Sequence, residues 1–255
     1  MIISAGLLII SYLSIYVNPA KAWFMTIFGL LFYPLLLVNV LLLVWALLRR
    51  SKAVLIPLVA LIPTLLIFGK FFRFSASGDE TSNGLKIVSY NVGRFALPQG
   101  VTFSSRRECA DSIMAFLRAE DADIICLQEV YVQNKERVLS YLSRQMKGYD
   151  IQYYVNVNKY GSCGNVTFSR YPALSKGHID FEHSSNMALY SDYCIGGDTL
   201  RVYNCHFESY NISLSRLATG LEKDYKKAVK DTEEKMRRSI VRRPRQVEQV
   251  LKDIE

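Results

Sequence analysis

The chain has 255 residues, 50% of them hydrophobic, and a net charge of +8. Met1 to Ser77 hold no Asp or Glu and six of the 31 Lys and Arg, so the remainder is nearly balanced, 25 basic against 23 acidic residues. The positive charge is therefore a property of one apolar end and argues against a nucleic-acid footprint. Five cysteines without a C-x-x-C or Cys/His ligand spacing argue against a disulfide framework or a zinc site.

Three apolar segments come first, about Ile2 to Val17, Trp23 to Leu48 and Ala53 to Phe72. A bilayer span needs about 20 such residues. The second and third segments meet that length. The first is shorter, but it has no basic leader and two further segments follow it, which predicts a helix and not a signal peptide. Residues 1–74 are thus expected to be a membrane domain with three transmembrane helices. Arg49, Arg50 and Lys52 join the second and third spans, whereas only Lys21 lies between the first and second. The positive-inside rule then places the amino terminus in the cytoplasm and everything after Phe74 outside it. The polar, Gly- and Ser-rich residues 75–84 read as a linker.

About 180 residues follow, enough for one core. Leu85 to Val92 predicts a strand ending in Asn91, a residue poor in strand interiors. Ser104 or Ser105 caps a helix running to about Glu120, with Cys109, Ile113, Phe116 and Leu117 as its apolar face. Ala122 to Val130 (A-D-I-I-C-L-Q-E-V) carries a short continuous apolar run, the pattern of a strand buried on both faces. It ends abruptly in Gln128 and Glu129. A carboxylate there is either a strand reaching the surface, the commonplace case, or a group paired with something such as a divalent cation, which favours hard oxygen ligands. A helix over Asn134 to Lys147 follows. Strands are then predicted over Ile151–Val157, Val166–Phe168, Ala173–Phe181, Met187–Ile195 and Leu200–Phe207, the last two joined by a hairpin turn at Gly196-Gly197-Asp198. The first two strands are each followed by a helix and the later ones by short turns, which makes a mixed α/β sheet. His206 ends the last strand, so three strands end in polar residues, Asn91, Glu129 and His206. Convergence on one sheet edge would form a ligand site. Tyr153, Tyr154 and Tyr160 offer rings for stacking, although strand tyrosines usually pack. Lys223 to Arg245 reads as a charged helix, either a solvated face or a surface for anionic headgroups. Pro244 is expected to start a further helix carrying Val247, Val250, Leu251 and Ile254.

The stretches K-I-V-S-Y-N-V with Asn91, D-I-I-C-L-Q-E-V with Glu129, G-N-V-T-F-S-R-Y-P from Gly164 to Pro172, and L-R-V-Y-N-C-H-F-E-S with His206 together resemble the endonuclease/exonuclease/phosphatase superfamily. The resemblance covers about residues 85–255. It implies a two-sheet α/β sandwich of mixed strands with flanking helices, and hydrolysis of phosphodiesters or phosphomonoesters with Mg²⁺ or Mn²⁺. By the same resemblance Glu129 is the metal-binding carboxylate. Asn91 orients the site groups and touches the metal indirectly, and His206 hydrogen-bonds the scissile phosphate. The implied partner is a phosphoester substrate (nucleic acid, phospholipid headgroup or small phosphate ester), alongside the lipid bilayer; no protein partner is inferable.

One departure is large. The family's D-x-N element and terminal D-H pair, which supply its water-activating Asp and its acid/base His, have no counterpart after Glu129. The α/β part is therefore expected to be the amino-terminal part of such a domain. Two functions follow: a membrane-anchored, metal-dependent phosphoesterase in incomplete form, or a non-catalytic membrane protein that keeps half of the hydrolase fold as an interaction module.

Overall fold

The computed structural model describes residues 1–71, 84–95, 106–130, 135–210 and 224–255. The expected linker, apart from Gly84, and the capping serines 104 and 105 lie outside these residues. The chain groups into two compact units, Met1–Asp79 with Ser209–Arg245, and Glu80–Glu208 with Gln246–Glu255.

In the first unit α1 (Ile2–Leu13) continues into a short 3-10 turn at Ser14–Tyr16, and α2 (Trp23–Leu30), α3 (Phe32–Leu48) and α4 (Leu55–Phe71) follow. The segment expected as one helix over Trp23 to Leu48 is two helices bent by 49°. Pro34, in the first turn of α3, has no N–H to offer the carbonyl of Leu30, and its ring crowds that carbonyl. Lys52–Gly69 is long and apolar enough to cross a membrane, and α2 with α3 passes as a bent pair; Ile2–Tyr16 is shorter. Among the described residues, then, one helix or at most two have spanning length, against the three expected. Leu8, Phe32 and Ala60 form a common core. Polar side chains tie it together: Asn39 Nδ2 donates to Ser4 O at 3.1 Å, and the Tyr12 hydroxyl lies 2.6 Å from Thr64 Oγ1. Such pairs join helices whose outer surfaces are uniformly apolar.

The second unit is an α/β sandwich. Its four-stranded sheet has the order β1-β2-β4-β3, with β1 (Ile87–Asn91), β2 (Ile124–Gln128), β3 (Asp150–Asn158) and β4 (Gly161–Ser169). A three-stranded sheet has the order β5-β6-β7, with β5 (Ala173–Asp180), β6 (Met187–Ile195) and β7 (Asp198–His206). β1 and β2 are parallel, joined through α5 (Arg106–Ala119), and every other pairing is antiparallel. The mixed sheet follows from connection length, since parallel neighbours need a crossover and hairpins do not. Gly196 and Gly197 form the two-residue loop between the paired Ile195 and Asp198. Their φ values of 64° and 92° explain the glycines, because this turn requires left-handed backbone at both positions.

β2 is buried along its whole length. On one side Ile125 and Leu127 pack with Met114 and Leu117 of α5 and with Val138 and Leu142 of α6 (Lys135–Gln145). Each such aliphatic side chain contributes about 1.5–3 kcal/mol by leaving water. Phe116, expected on the inward face of α5, is instead half exposed, with its ring 6.2 Å from that of Tyr90. On the other side Ile124 and Cys126 meet Tyr193 of β6. That inter-sheet layer is unusually polar, with Gln128, Asn165, Thr167, Ser191 and Asn204 all buried. The β3–β5 edge is closed by polar pairs: Lys176 Nζ to Asp150 Oδ1 at 2.6 Å, Gln152 Nε2 to Gly177 O at 2.8 Å and Asn156 Nδ2 to Asp180 Oδ1 at 3.1 Å.

Pro244 does not start a helix. It lies inside α7, which is continuous from Tyr225 to Ile254. A proline costs an interior helix a hydrogen bond, but packing holds the chain helical on both sides of it, with Ser239 and Ile240 buried before it and Gln246 and Val250 after it. Of the apolar residues expected on a new helix, Val250 is buried, and Val247, Leu251 and Ile254 are exposed.

Candidate active site

The register Asn91↔Gln128 in the parallel β1–β2 pair brings the exits of both strands to one edge. Backbone contacts then fix the residues that follow. Val92 N donates to Gln128 O and Arg94 N to Glu129 O, both at 3.0 Å, and Val130 N donates to Gly164 O of β4 at 2.7 Å. Held from both sides, Glu129 adopts a left-handed φ of 58°. Non-glycine residues in that region store strain, which is concentrated at functional sites.

The Glu129 side chain meets the other two strand-end residues. Asn91 Nδ2 donates to Glu129 Oε1 at 3.0 Å, while Asn91 Oδ1 accepts from Gly93 N at 2.9 Å, an Asx-turn that fixes the amide. His206 Nε2 stands 3.6 Å from the same Oε1. That distance is long for a hydrogen bond and suits an ion pair when the imidazole is protonated. The His206 side chain is 13% exposed and that of Glu129 30%, so the pair opens to solvent on the carboxylate side. All three residues singled out in the sequence are thus brought together on one edge.

Three neighbours had no site role assigned from the sequence. Arg94, left-handed at φ 60°, donates from Nη2 to Ser162 O at 2.9 Å. The Cys163 thiol is buried, and burial pushes its pKa up to about 12; the Glu129 carboxylate adds to the rise and Arg94 opposes it. Gly164 belongs to a quoted motif, but the reason for it is spatial: a Cβ there would stand 1.9 Å from Val130 O. The other histidines are engaged elsewhere. His178 stacks on Tyr154 at 3.8 Å between centroids, and His183 Nδ1 lies 2.9 Å from the Tyr160 hydroxyl. Tyr153 packs against the helix-side core.

Among the described residues no group of three or more His, Cys, Asp and Glu forms a metal cage. Glu129 offers one carboxylate, partly exposed. This fits a hard cation that keeps water and takes further oxygens from a phosphate, the usual manner of Mg²⁺. A model of the Endonuclease/Exonuclease/phosphatase family matches residues 88–248. The chain belongs to this family. Residues 1–71 match a separate model, described as a domain of unknown function.

Solved structures of the endonuclease/exonuclease/phosphatase family are also similar. A family protein from Leptotrichia buccalis is 14% identical, with a TM-score of 0.38, over 55% of this chain and 61% of that one. Danio rerio TDP2, complexed with a single-strand DNA product, is 19% identical, with a TM-score of 0.36, over 55% of each chain. A mannosyl-6-phosphatase from Bacteroides thetaiotaomicron is 15% identical, with a TM-score of 0.36, over 56% of this chain and 58% of that one. The chain thus spans a little over half the length of these proteins. No curated protein matches.

Proposed function

We propose that residues 85–255 form the metal- and phosphate-binding part of a divalent-cation-dependent phosphoesterase, and that residues 1–74 hold it in a membrane. The observation that carries the reading is the convergence of Asn91 and His206 on Glu129 Oε1, at 3.0 and 3.6 Å, in a chain of this family. Glu129 supplies the carboxylate for Mg²⁺ or Mn²⁺. When bound, such a cation neutralises charge developing on phosphate oxygens. The family resemblance implies two tasks for Asn91, orienting the site and reaching the ion indirectly, and its hydrogen bonds to Glu129 Oε1 and from Gly93 N support the first. The His206 ring, beside the carboxylate, offers an N–H to a phosphate oxygen and so offsets charge that grows in the transition state. The half-exposed carboxylate admits a phosphoester: nucleic acid, a phospholipid headgroup or a small phosphate ester.

The membrane part of the reading rests on three apolar segments whose surfaces face outward, with Leu48, Leu65 and Leu66 among the most exposed residues. The basic turn at Arg49, Arg50 and Lys52, between the second and third segments, favours the cytoplasmic side, which sets the α/β unit beyond the third segment outside the cytoplasm.

The test is hydrolysis of bis-p-nitrophenyl phosphate by the purified chain with Mg²⁺ or Mn²⁺, together with cation-dependent binding of inorganic phosphate. Either signal, abolished in Glu129→Gln, supports the reading. If neither depends on the cation or on Glu129, the reading falls and the interaction-module alternative takes its place.

A further inference from the structure

Gln128 precedes Glu129 and is 8% exposed, with its amide between the two sheets. Nε2 lies 2.8 Å from Asn204 Oδ1 of β7, 3.1 Å from Ser89 Oγ of β1 and 3.2 Å from Cys126 O of its own strand, three acceptors that share its two hydrogens. The orientation of both amides follows from their surroundings. Asn204 Nδ2 lies 2.8 Å from Val166 O and 3.2 Å from Leu127 O, and carbonyls only accept. Asn204 therefore presents Oδ1 to Gln128, and Gln128 must answer with its nitrogen. Asn165 Nδ2 donates to Asn204 O at 3.2 Å and holds the same strand from β4.

The placement of these contacts gives them a meaning beyond burial. Strand side chains alternate with a period of two, so Ser89 shares a face with Asn91, and Asn204 shares a face with His206. One amide thus joins β1, β2 and β7 one or two residues behind each of the three side chains that meet at the edge. We propose that Gln128 is a positioning residue, whose side-chain amide sets β1, β2 and β7 so that Asn91, Glu129 and His206 come together. The use of that meeting point by a cation rests on the functional reading above; the positioning itself does not.

A merely structural role is the competing account, since any satisfied buried hydrogen bond adds to stability. Gln152 is the matched control. It also bridges the sheets, from β3 to Gly177 O of β5 at 2.8 Å and Ser191 Oγ of β6 at 2.6 Å, without touching β1, β2 or β7. The experiment compares full-length chain, Gln128→Met and Gln152→Met in detergent by two measurements. One is the nuclear Overhauser contact between the His206 imidazole and the Glu129 γ-methylene protons, recorded without metal. The other is Mn²⁺ affinity by electron paramagnetic resonance. Gln128→Met is expected to lose the contact and about tenfold in affinity, the size typical of groups that orient a metal ligand, while Gln152→Met keeps both. A folded Gln128→Met that retains both, or equal losses in the two variants, overturns the proposal. Should Gln128→Met not fold, Ser89→Ala decides: a loss of about threefold in affinity supports the proposal, and no change overturns it. If Glu129→Gln binds Mn²⁺ as well as the parent does, the functional reading of Glu129 fails, and the Overhauser contact alone decides the role of Gln128.

Discussion

At the residue scale the site depends on Glu129 accepting a conformation its side chain disfavours. Left-handed backbone costs a non-glycine residue roughly 1–2 kcal/mol, and φ at Glu129 is 58°. Elsewhere in a protein, alanine is usually more stabilising than glycine. Here the order should reverse: Glu129→Gly should unfold at higher denaturant than Glu129→Ala, by about 1 kcal/mol in urea melts. Equal midpoints, or alanine ahead, would mean that the strand exit relaxes when the carboxylate is removed. The sequence showed the identity of this residue and its place at a strand end, because a buried apolar run that stops at a carboxylate is visible locally. It could not show the strain, which arises from hydrogen bonds to Arg94 and Gly164 on other elements. Gln128 is the sharper case. Its neighbour in the chain drew attention by charge, whereas its own partner, Asn204, is 76 positions away, and no local period encodes that contact.

At the element scale hydrophobic periodicity located the strands and helices, and failed where tertiary packing overrode a local signal. Phe116 fits the apolar stripe of α5 yet lies outward, and Pro244 carries a start signal yet sits inside α7. Pro244→Ala restores an N–H to the helix interior and removes the ring clash. It should stabilise the chain by roughly 1–3 kcal/mol, seen as a raised thermal midpoint in far-UV circular dichroism. A second expectation concerns β2. Burial pushes the Cys126 thiol up to about 12 from an ordinary 9.0, the nearby Cys205 adds to the rise, and a Thr167 hydrogen bond opposes it. The folded state thus binds this proton more tightly than the unfolded chain does. The stability it contributes is fully present below pH 9 and is lost as pH rises from there toward about 12. The slope approaches about 1.4 kcal/mol per pH unit. Cys126→Ala should flatten the decline between pH 9 and 11, as measured by urea midpoints; an unchanged slope would assign the alkaline loss to other groups.

At the scale of the whole molecule two units of opposite character share one chain. The apolar one was legible from the absence of acids before Asp79, and the α/β one from four ordered motifs. Composition could not show how the apolar residues divide into helices, because Pro34 turns one long stretch into a bent pair and hydropathy is blind to that bend. Sidedness remains a matter of charge counting, with Arg49, Arg50 and Lys52 against Lys21, and the cysteines provide the means to test it. Cys194 is exposed, whereas Cys109, Cys126 and Cys163 are buried and Cys205 is half-buried. In intact cells a membrane-impermeant maleimide should therefore label the native chain through Cys194, and Cys194→Ser should remove the label. Both follow if the α/β unit lies outside the cytoplasm. Labelling that appears only after the membrane is permeabilised would reverse the orientation. It would place the edge bearing Asn91, Glu129 and His206 among cytoplasmic phosphoesters, with the basic turn at Arg49 to Lys52 on the opposite side from the one its charge favours.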